Sequence, residues 1–418
     1  MSTATKAFEL AREQYDAMGV DVEKALRLAI ETPISMHCWQ GDDVLGFEGS
    51  SNLTGGIAAT GNYPGRARTP SELRMDMEKA LSLLPGVHKV NLHANYLDTA
   101  EKVDRDQLAP RHFASWAQWA KEKKLGLDFN TTFFSHEKSA GGTLTHPDKN
   151  IREFWIAHAR AVREIAAYFS RETKKTCIIN HWIPDGEKEL PVDALGPRAR
   201  LLESLDAIFK NAPAYENVKD SVESKLFGIG AEAYTPGSHE FYMGYVFTRP
   251  NLLLTIDAGH FHPTESVAVK IPALLCFLPE LLLHVSRPVR WDSDHVVLFD
   301  EETRQIMREI VRAGALNRVY LATDYFDASI NRITAWVTGL RSTRKALLTA
   351  LLEPVDKLRE LEHAGDYSAR LALSQEVQSL PFGAVWDELC LRENKIPGAG
   401  YIQEIKVYEK EVLSKRLM

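Results

Sequence analysis

Only four cysteines occur in the 418 residues (Cys38, Cys177, Cys276 and Cys390), all far apart and with no CxxC pair. That spacing excludes a disulfide framework and a thiolate zinc site. Long apolar runs are missing as well: no stretch of about 18 uncharged apolar residues is present to cross a bilayer. The opening Met-Ser-Thr-Ala-Thr-Lys lacks the apolar core of a signal peptide. A soluble, cytoplasmic protein with no membrane partner is expected. Basic charge is not in excess either, with 50 basic against 57 acidic side chains and a formal net charge of -7, so nucleic acid is not an expected partner. Neither a GxGxxG nor a P-loop follows the first strand-like run, which argues against a doubly wound nucleotide-binding sheet.

What the chain does have is 44% apolar residues, enough for a large core, and a regular alternation of short branched-apolar runs with longer amphipathic ones. This is the pattern of βα units around a parallel sheet. Eight strands are expected, at 34–39, 89–93, 125–130, 176–182, 221–227, 252–257, 281–286 and 318–324. Helical signatures lie between them. Thr69 and Glu72 stand at capping-box spacing with Pro70 at the first helical position, predicting a helix over 71–84, and acids open another at 300–313. Eight such units with short connections predict a (β/α)8 TIM barrel, which with N-terminal amphipathic helices at 8–18 and 22–30 occupies residues 1–340. A helical extension follows at 341–418, with helices at 345–364 and 367–379, whose apolar positions suit packing on the barrel or on another subunit.

Nearly every expected strand ends on a group capable of chemistry, as barrel enzymes require. His93 ends the second strand, Trp182 the fourth, Glu223 and Lys225 stand on the fifth and Asp257 closes the sixth. His284 lies on the seventh and Asp324 closes the eighth, while Trp39 ends the first. Asp257 and His260 are separated by a Gly259 turn, so their side chains are read as diverging toward two adjacent sites. Asp292 and Asp294, at i and i+2 after Trp291, put both carboxylates on one side of an extended segment. Such a mixture of carboxylates and imidazoles takes hard or borderline divalent ions. Seven candidates (Glu223, Asp257, His260, His284, Asp292, Asp294 and Asp324) are too many for one ion and suit two. A lone strand-end Asp or His is ordinarily a cap, but seven in succession are not. The loop at 41–65, 25 residues with seven glycines, is far longer than an ordinary βα connection. Its apolar Val44, Leu45, Phe47, Leu53 and Ile57 suggest a lid.

These same residues carry a resemblance. Met-His-Cys-Trp-Gln-Gly-Asp-Asp (36–43), Ala-Thr-Gly-Asn-Tyr-Pro-Gly (59–65), Glu-Ser-Lys-Leu-Phe-Gly-Ile-Gly-Ala-Glu (223–232), Asp-Ala-Gly-His-Phe-His-Pro (257–263), the run from Leu282 to Val297 and Asp-Tyr-Phe-Asp-Ala-Ser-Ile-Asn-Arg (324–332) resemble L-rhamnose isomerase. The likeness spans essentially the whole chain. It implies a (β/α)8 barrel with two divalent ions, usually manganese, with Co²⁺, Mg²⁺ or Zn²⁺ as alternatives at one site. The implied reaction interconverts L-rhamnose and L-rhamnulose in L-rhamnose catabolism, and the implied assembly is a homotetramer. One ion would be held by Glu223, Asp257, His284 and Asp324, and a catalytic one by His260, Asp292 and Asp294. Asp292 is assigned removal of the O2 proton, Lys225 donation to O1 and His93 the proton of ring opening. Trp39 and Trp182 are assigned the apolar faces of the sugar. Three alternatives are a two-metal phosphodiester nuclease, a sugar epimerase and a non-enzymatic sugar-binding protein. The acidic balance weighs against the first, and the paired metal ligands against the last.

Overall fold

The computed structural model describes residues 3–48, 59–210, 212–225, 232–249, 251–262, 264–289 and 294–417. Eight parallel strands close on themselves in chain order. They are β1 (Ile34–His37), β2 (His88–His93), β3 (Gly126–Asn130), β4 (Cys177–His181), β5 (Val218–Glu223), β6 (Leu252–Asp257), β7 (Leu281–Val285) and β8 (Val319–Thr323). Closure comes from β1 pairing with β8, Ile34 opposite Leu321 and Ser35 opposite Ala322. The expected barrel is the observed one.

Two helices, α1 (Thr3–Ala17) and α2 (Val22–Glu31), precede the barrel, and one helix then follows each strand. These are α3 (Pro70–Ser82), α4 (Ala114–Glu122), α5 (Lys149–Thr173), α6 (Gly196–Phe209), α7 (His239–Phe247), α8 (Val267–Leu275), α9 (Glu301–Arg312) and α10 (Arg332–Leu351). Their starts follow from the sequence. Thr69 caps α3 by accepting from the Glu72 amide at 3.2 Å, although the Glu72 carboxylate reaches back to Arg68 N rather than to Thr69. Asp300 caps α9 through the Thr303 amide at 3.0 Å. Beyond α10 lie α11 (Val355–His363), α12 (Tyr367–Glu376), α13 (Phe382–Arg392) and α14 (Tyr401–Glu411). The single helix expected over 345–364 is thus two, α10 and α11, broken where Pro354 cannot continue the hydrogen-bond ladder. α1 and α2 bury Phe8, Leu26 and Ala29 against Leu348, Val385 and Trp386 of α10 and α13, so the chain's two ends share one apolar cluster.

The fifth strand departs from expectation, running Val218–Glu223 instead of 221–227. Its opening residues are polar for barrel-specific reasons that no hydrophobic pattern signals. Lys219 points inward to pair with Glu280, and Asp220 points outward to Arg163 and His181. Inside the barrel, Ile178, Leu253, Leu282 and Ala322 form a small apolar layer separate from the main core between strands and helices. The period-2 alternation of strands carries the same inward rows one step further, to Asn180, Thr255, His284 and Asp324. These rows therefore change from apolar to polar toward the C-terminal ends of the strands.

Candidate metal centre and substrate pocket

Four of the expected ligands converge at that polar end. His284 Nδ1 lies 3.2 Å from Glu223 Oε1, 3.2 Å from Asp324 Oδ2 and 3.5 Å from Asp257 Oδ2, and ligand atoms of all four residues fall within 4.8 Å of one another. No hydrogen bond of good geometry reaches Glu223 Oε1, Asp257 Oδ2 or either His284 nitrogen, although all are buried. Three buried or half-buried carboxylates around one imidazole demand a compensating positive charge. The local electrostatics point the same way. Burial pulls the His284 imidazole toward neutrality, yet the Glu223 charge and the adjacent Asp257 and Asp324 carboxylates outweigh it and hold its pKa well above the ordinary histidine value. Burial, offset only in part by His284 and reinforced by the Asp257 and Glu223 charges, raises that of Asp324. The donor set fits a divalent cation.

The remaining atoms of these ligands are fixed by neighbours. Asn180 donates its amide to Glu223 Oε2 and accepts from Thr255 Oγ1 at 2.8 Å. Trp39 Nε1–H donates to Asp324 Oδ1 at 3.0 Å, and Ser286 and the Gly259 amide both donate to Asp257 Oδ1. Carboxylates braced in this way through one oxygen would offer the other to a cation.

A second group joins Asp257, His260 and Asp294 within the same 4.8 Å span. A short 3-10 turn (Ala258–His260) folds His260 back over Asp257, and its Nδ1–H goes to the Ser224 carbonyl at 2.9 Å. That bond fixes the tautomer with Nε2 toward Asp294, whose Oδ1 is 4.0 Å away. Asp257 and His260 thus do not simply diverge, because Asp257 belongs to both groups. Gly259 makes the approach possible: a Cβ there would stand 2.5 Å from Asp294 Oδ1 and 2.6 Å from Ser286 Oγ. Asp292 and Trp291 lie outside the described residues, as do Leu53 and Ile57 of the long loop.

An aromatic wall runs beside the ligand groups. Ring centroids step from Trp39 to His93 (4.7 Å), to Phe134 (5.3 Å) and to Trp182 (6.1 Å), and Lys225 Nζ stands 5.8 Å from the Trp182 ring. Lys225 is buried, donating to the Pro184 carbonyl and pairing with Glu232 at 3.5 Å. The Asn130 amide donates to His93 Nε2 at 3.3 Å, which assigns the ring proton to Nδ1 and to Thr132 Oγ1 at 3.1 Å. Burial, above all, lowers the His93 pKa to about 3, so the ring is neutral. In the long loop, Val44 is buried and Phe47 packs on Tyr96 at 5.5 Å, so core packing accounts for two of its apolar residues.

Asn180 and Ser286, which brace the ligands, and Phe134 of the aromatic wall are residues that the sequence reading did not single out. For Asn180 a signal existed, since Trp182 two places on has the same strand parity. The intervening His181 faces the helix layer, bonded to Asp220 at 3.0 Å and packed on Phe209.

A closed parallel barrel with carboxylate and imidazole groups gathered at the C-terminal strand ends defines a barrel enzyme with a candidate divalent-metal centre. The family model for L-rhamnose isomerase (RhaA) matches residues 2–416, and the chain belongs to that family of aldose–ketose isomerases. It is 57% identical over 415 residues to an L-rhamnose isomerase of Salmonella typhimurium, covering 98% of each chain. It is 56% identical over 413 residues to one of Citrobacter koseri, again with 98% of each covered. Among solved structures it is similar to an L-ribulose 3-epimerase, with a TM-score of 0.49, 14% identity, and coverage of 76% of this chain and 95% of that one. No helix among the described residues is long and apolar enough to cross a membrane.

Proposed function

We propose that this protein interconverts L-rhamnose and L-rhamnulose by a hydride shift between C1 and C2, using two divalent ions held in adjacent groups that share Asp257. The observation that carries the reading is this pair of buried ligand groups in a chain matched along its length by the isomerase family. Glu223, Asp257, His284 and Asp324 would hold one ion. His260, Asp294 and Asp292 would hold the other beside Asp257. Bound there, the ions supply Lewis acidity toward sugar oxygens without a strong protein base. Manganese is the proposed resident ion, with Co²⁺, Mg²⁺ or Zn²⁺ as alternatives at one site, since all accept mixed carboxylate and imidazole donors.

Each residue has a defined task. His93, neutral and facing the pocket, takes the proton of the anomeric hydroxyl when the ring opens. Asp292 receives the O2 proton. Lys225, two residues beyond Glu223 and just past the end of β5, donates to O1. Trp39 and Trp182 bound the sugar's apolar face. The Trp182 Nε1–H, buried without an acceptor, is available to a sugar hydroxyl. The described carboxylates Glu223, Asp257, Asp294 and Asp324 are gathered in the two ligand groups, which favours hydride transfer over a carboxylate acting on carbon. The enzyme is proposed to be cytoplasmic and homotetrameric, with the helical extension at 341–418 as a subunit contact. α12 buries none of its residues and exposes Tyr367 and Leu371.

Isomerisation of L-rhamnose in D₂O, read at C1 of the ketose by NMR, tests the reaction and its route together. L-rhamnulose without solvent deuterium at C1 is expected. Deuterium at C1 after one turnover would replace the hydride shift by an enediol, and no ketose at all would remove the proposed activity.

A further inference from the structure

Arg105 is a buried cation that belongs to neither ligand group. It is 1% exposed and lies in a short turn (Arg105–Gln107) within the connection from β2 to α4. A guanidinium this deep must have its donors satisfied, and its partners are unusual in where they lie. Nε and one terminal nitrogen grip the two oxygens of Glu48 at 2.6 Å each, a bidentate clamp on the segment that follows β1. The other terminal nitrogen donates to the carbonyls of Thr132 and, at 3.1 Å, of Phe134.

Thr132 is the hinge of this arrangement. Its amide donates to His158 Nε2 at 3.0 Å, and His158 Nδ1–H in turn goes to the Arg105 backbone carbonyl at 3.1 Å. Arg105 therefore brackets Thr132 from two sides, directly by its guanidinium and through His158 by its main chain. The Thr132 hydroxyl is the partner of His93 Nδ1 and also accepts from the Ala94 amide at 2.9 Å. With its amide, carbonyl and hydroxyl all committed, Thr132 cannot shift at its carbonyl without carrying the hydroxyl that orients His93. Phe134, the other carbonyl on the guanidinium, packs its ring on His93 and Trp182.

We propose that Arg105 is a positioning residue for the isomerisation, holding His93 and the aromatic wall through Thr132 and Phe134 and tying them to Glu48. The inference rests on His93 serving the reaction as proposed above. Lysine in its place keeps the charge but offers one nitrogen where four bonds diverge, so the two carbonyls lose their shared donor.

A double-mutant cycle decides between this role and general support of the fold. Wild-type turnover of L-rhamnose is measured first, which separates failure of the proposed activity from failure of this inference. Arg105→Lys is expected to lower kcat about 10-fold or more with KM within about two-fold, as a misplaced reacting group does. In a His93→Asn background the same substitution should change kcat by less than about two-fold, because the residue it positions is gone. Should Arg105→Lys fail to fold, Glu48→Gln loosens the same guanidinium without removing it, and its loss of about three-fold should likewise vanish with His93→Asn. Equal factors in both backgrounds would overturn the proposal, as would His93→Asn turning over at the wild-type rate.

Discussion

Replacing Gly259 by alanine is the smallest change that bears on the shared geometry of the two ligand groups. The added Cβ would lie 2.5 Å from Asp294 Oδ1, 2.6 Å from Ser286 Oγ and 3.2 Å from Asp257 Oδ1. The first two separations are shorter than any van der Waals contact allows. Either Asp294 and Ser286 move outward or the turn carrying His260 does. Overpacking of this kind costs about 1–3 kcal/mol of stability, and a displacement of roughly 1 Å at reacting groups costs up to about 10²-fold in rate. Gly259→Ala should therefore bind less metal and lose at least about ten-fold in kcat, while far-UV circular dichroism stays that of the wild type. Gly244→Ala is the control. It lies in α7 with nothing within 4 Å of the new Cβ, and should stabilise by about 0.5–1 kcal/mol through helix propensity with activity unchanged. Metal content by mass spectrometry and kcat on L-rhamnose are the assays. Gly259→Ala with wild-type metal content and turnover would refute the shared-carboxylate geometry.

Trp39→Phe keeps an aromatic face for the sugar but removes the indole N–H that holds Asp324 Oδ1. Metal affinity should fall about 10–100-fold, with KM at saturating metal changed far less. The reverse pattern would make Trp39 a sugar-binding group alone. His88, at the start of β2, donates from Nε2 to the Pro85 carbonyl at 3.1 Å, and burial beside Arg344 lowers its pKa to about 3. Between that value and the unfolded value near 6.5 only the unfolded chain takes the proton, so stability is lost as pH falls through this window. From pH 7 to pH 5 the ring accounts for about 2 kcal/mol of that loss. Guanidinium unfolding at the two pH values should therefore show His88→Gln about 2 kcal/mol less acid-sensitive than wild type, and equal sensitivity would refute the assignment.

The barrel was legible because each βα unit repeats the same alternation, and because chemistry-bearing residues stand where parallel strands end. Glu223, Asp257, His284 and Asp324 are candidate ligands for that reason, while their grouping around one ion is what the family resemblance implies. Other features have no such signature. β5 starts early on Lys219 and Asp220, whose partners Glu280, Arg163 and His181 are far away in sequence. The sharing of Asp257 depends on how tightly the Gly259 turn folds, which residue spacing does not specify. Arg105 reads as an ordinary surface arginine in a polar loop, since the groups that bury it, Glu48, Thr132 and Phe134, come from two other connections. Apolar residues in the loop after β1 suggested closure over a substrate, yet Val44 and Phe47 serve the core. Hydrophobicity alone does not distinguish the two uses.

The most direct test of the account is metal titration of the chelator-stripped protein, following bound manganese and L-rhamnulose formation in the same samples. Two ions per chain are expected, with turnover absent in the stripped protein and restored as the sites fill. Binding to the native state should also raise the melting temperature, at one hundred times Kd by the equivalent of about 2.7 kcal/mol. Full activity in the stripped protein, or restoration complete at a single ion per chain, would contradict it.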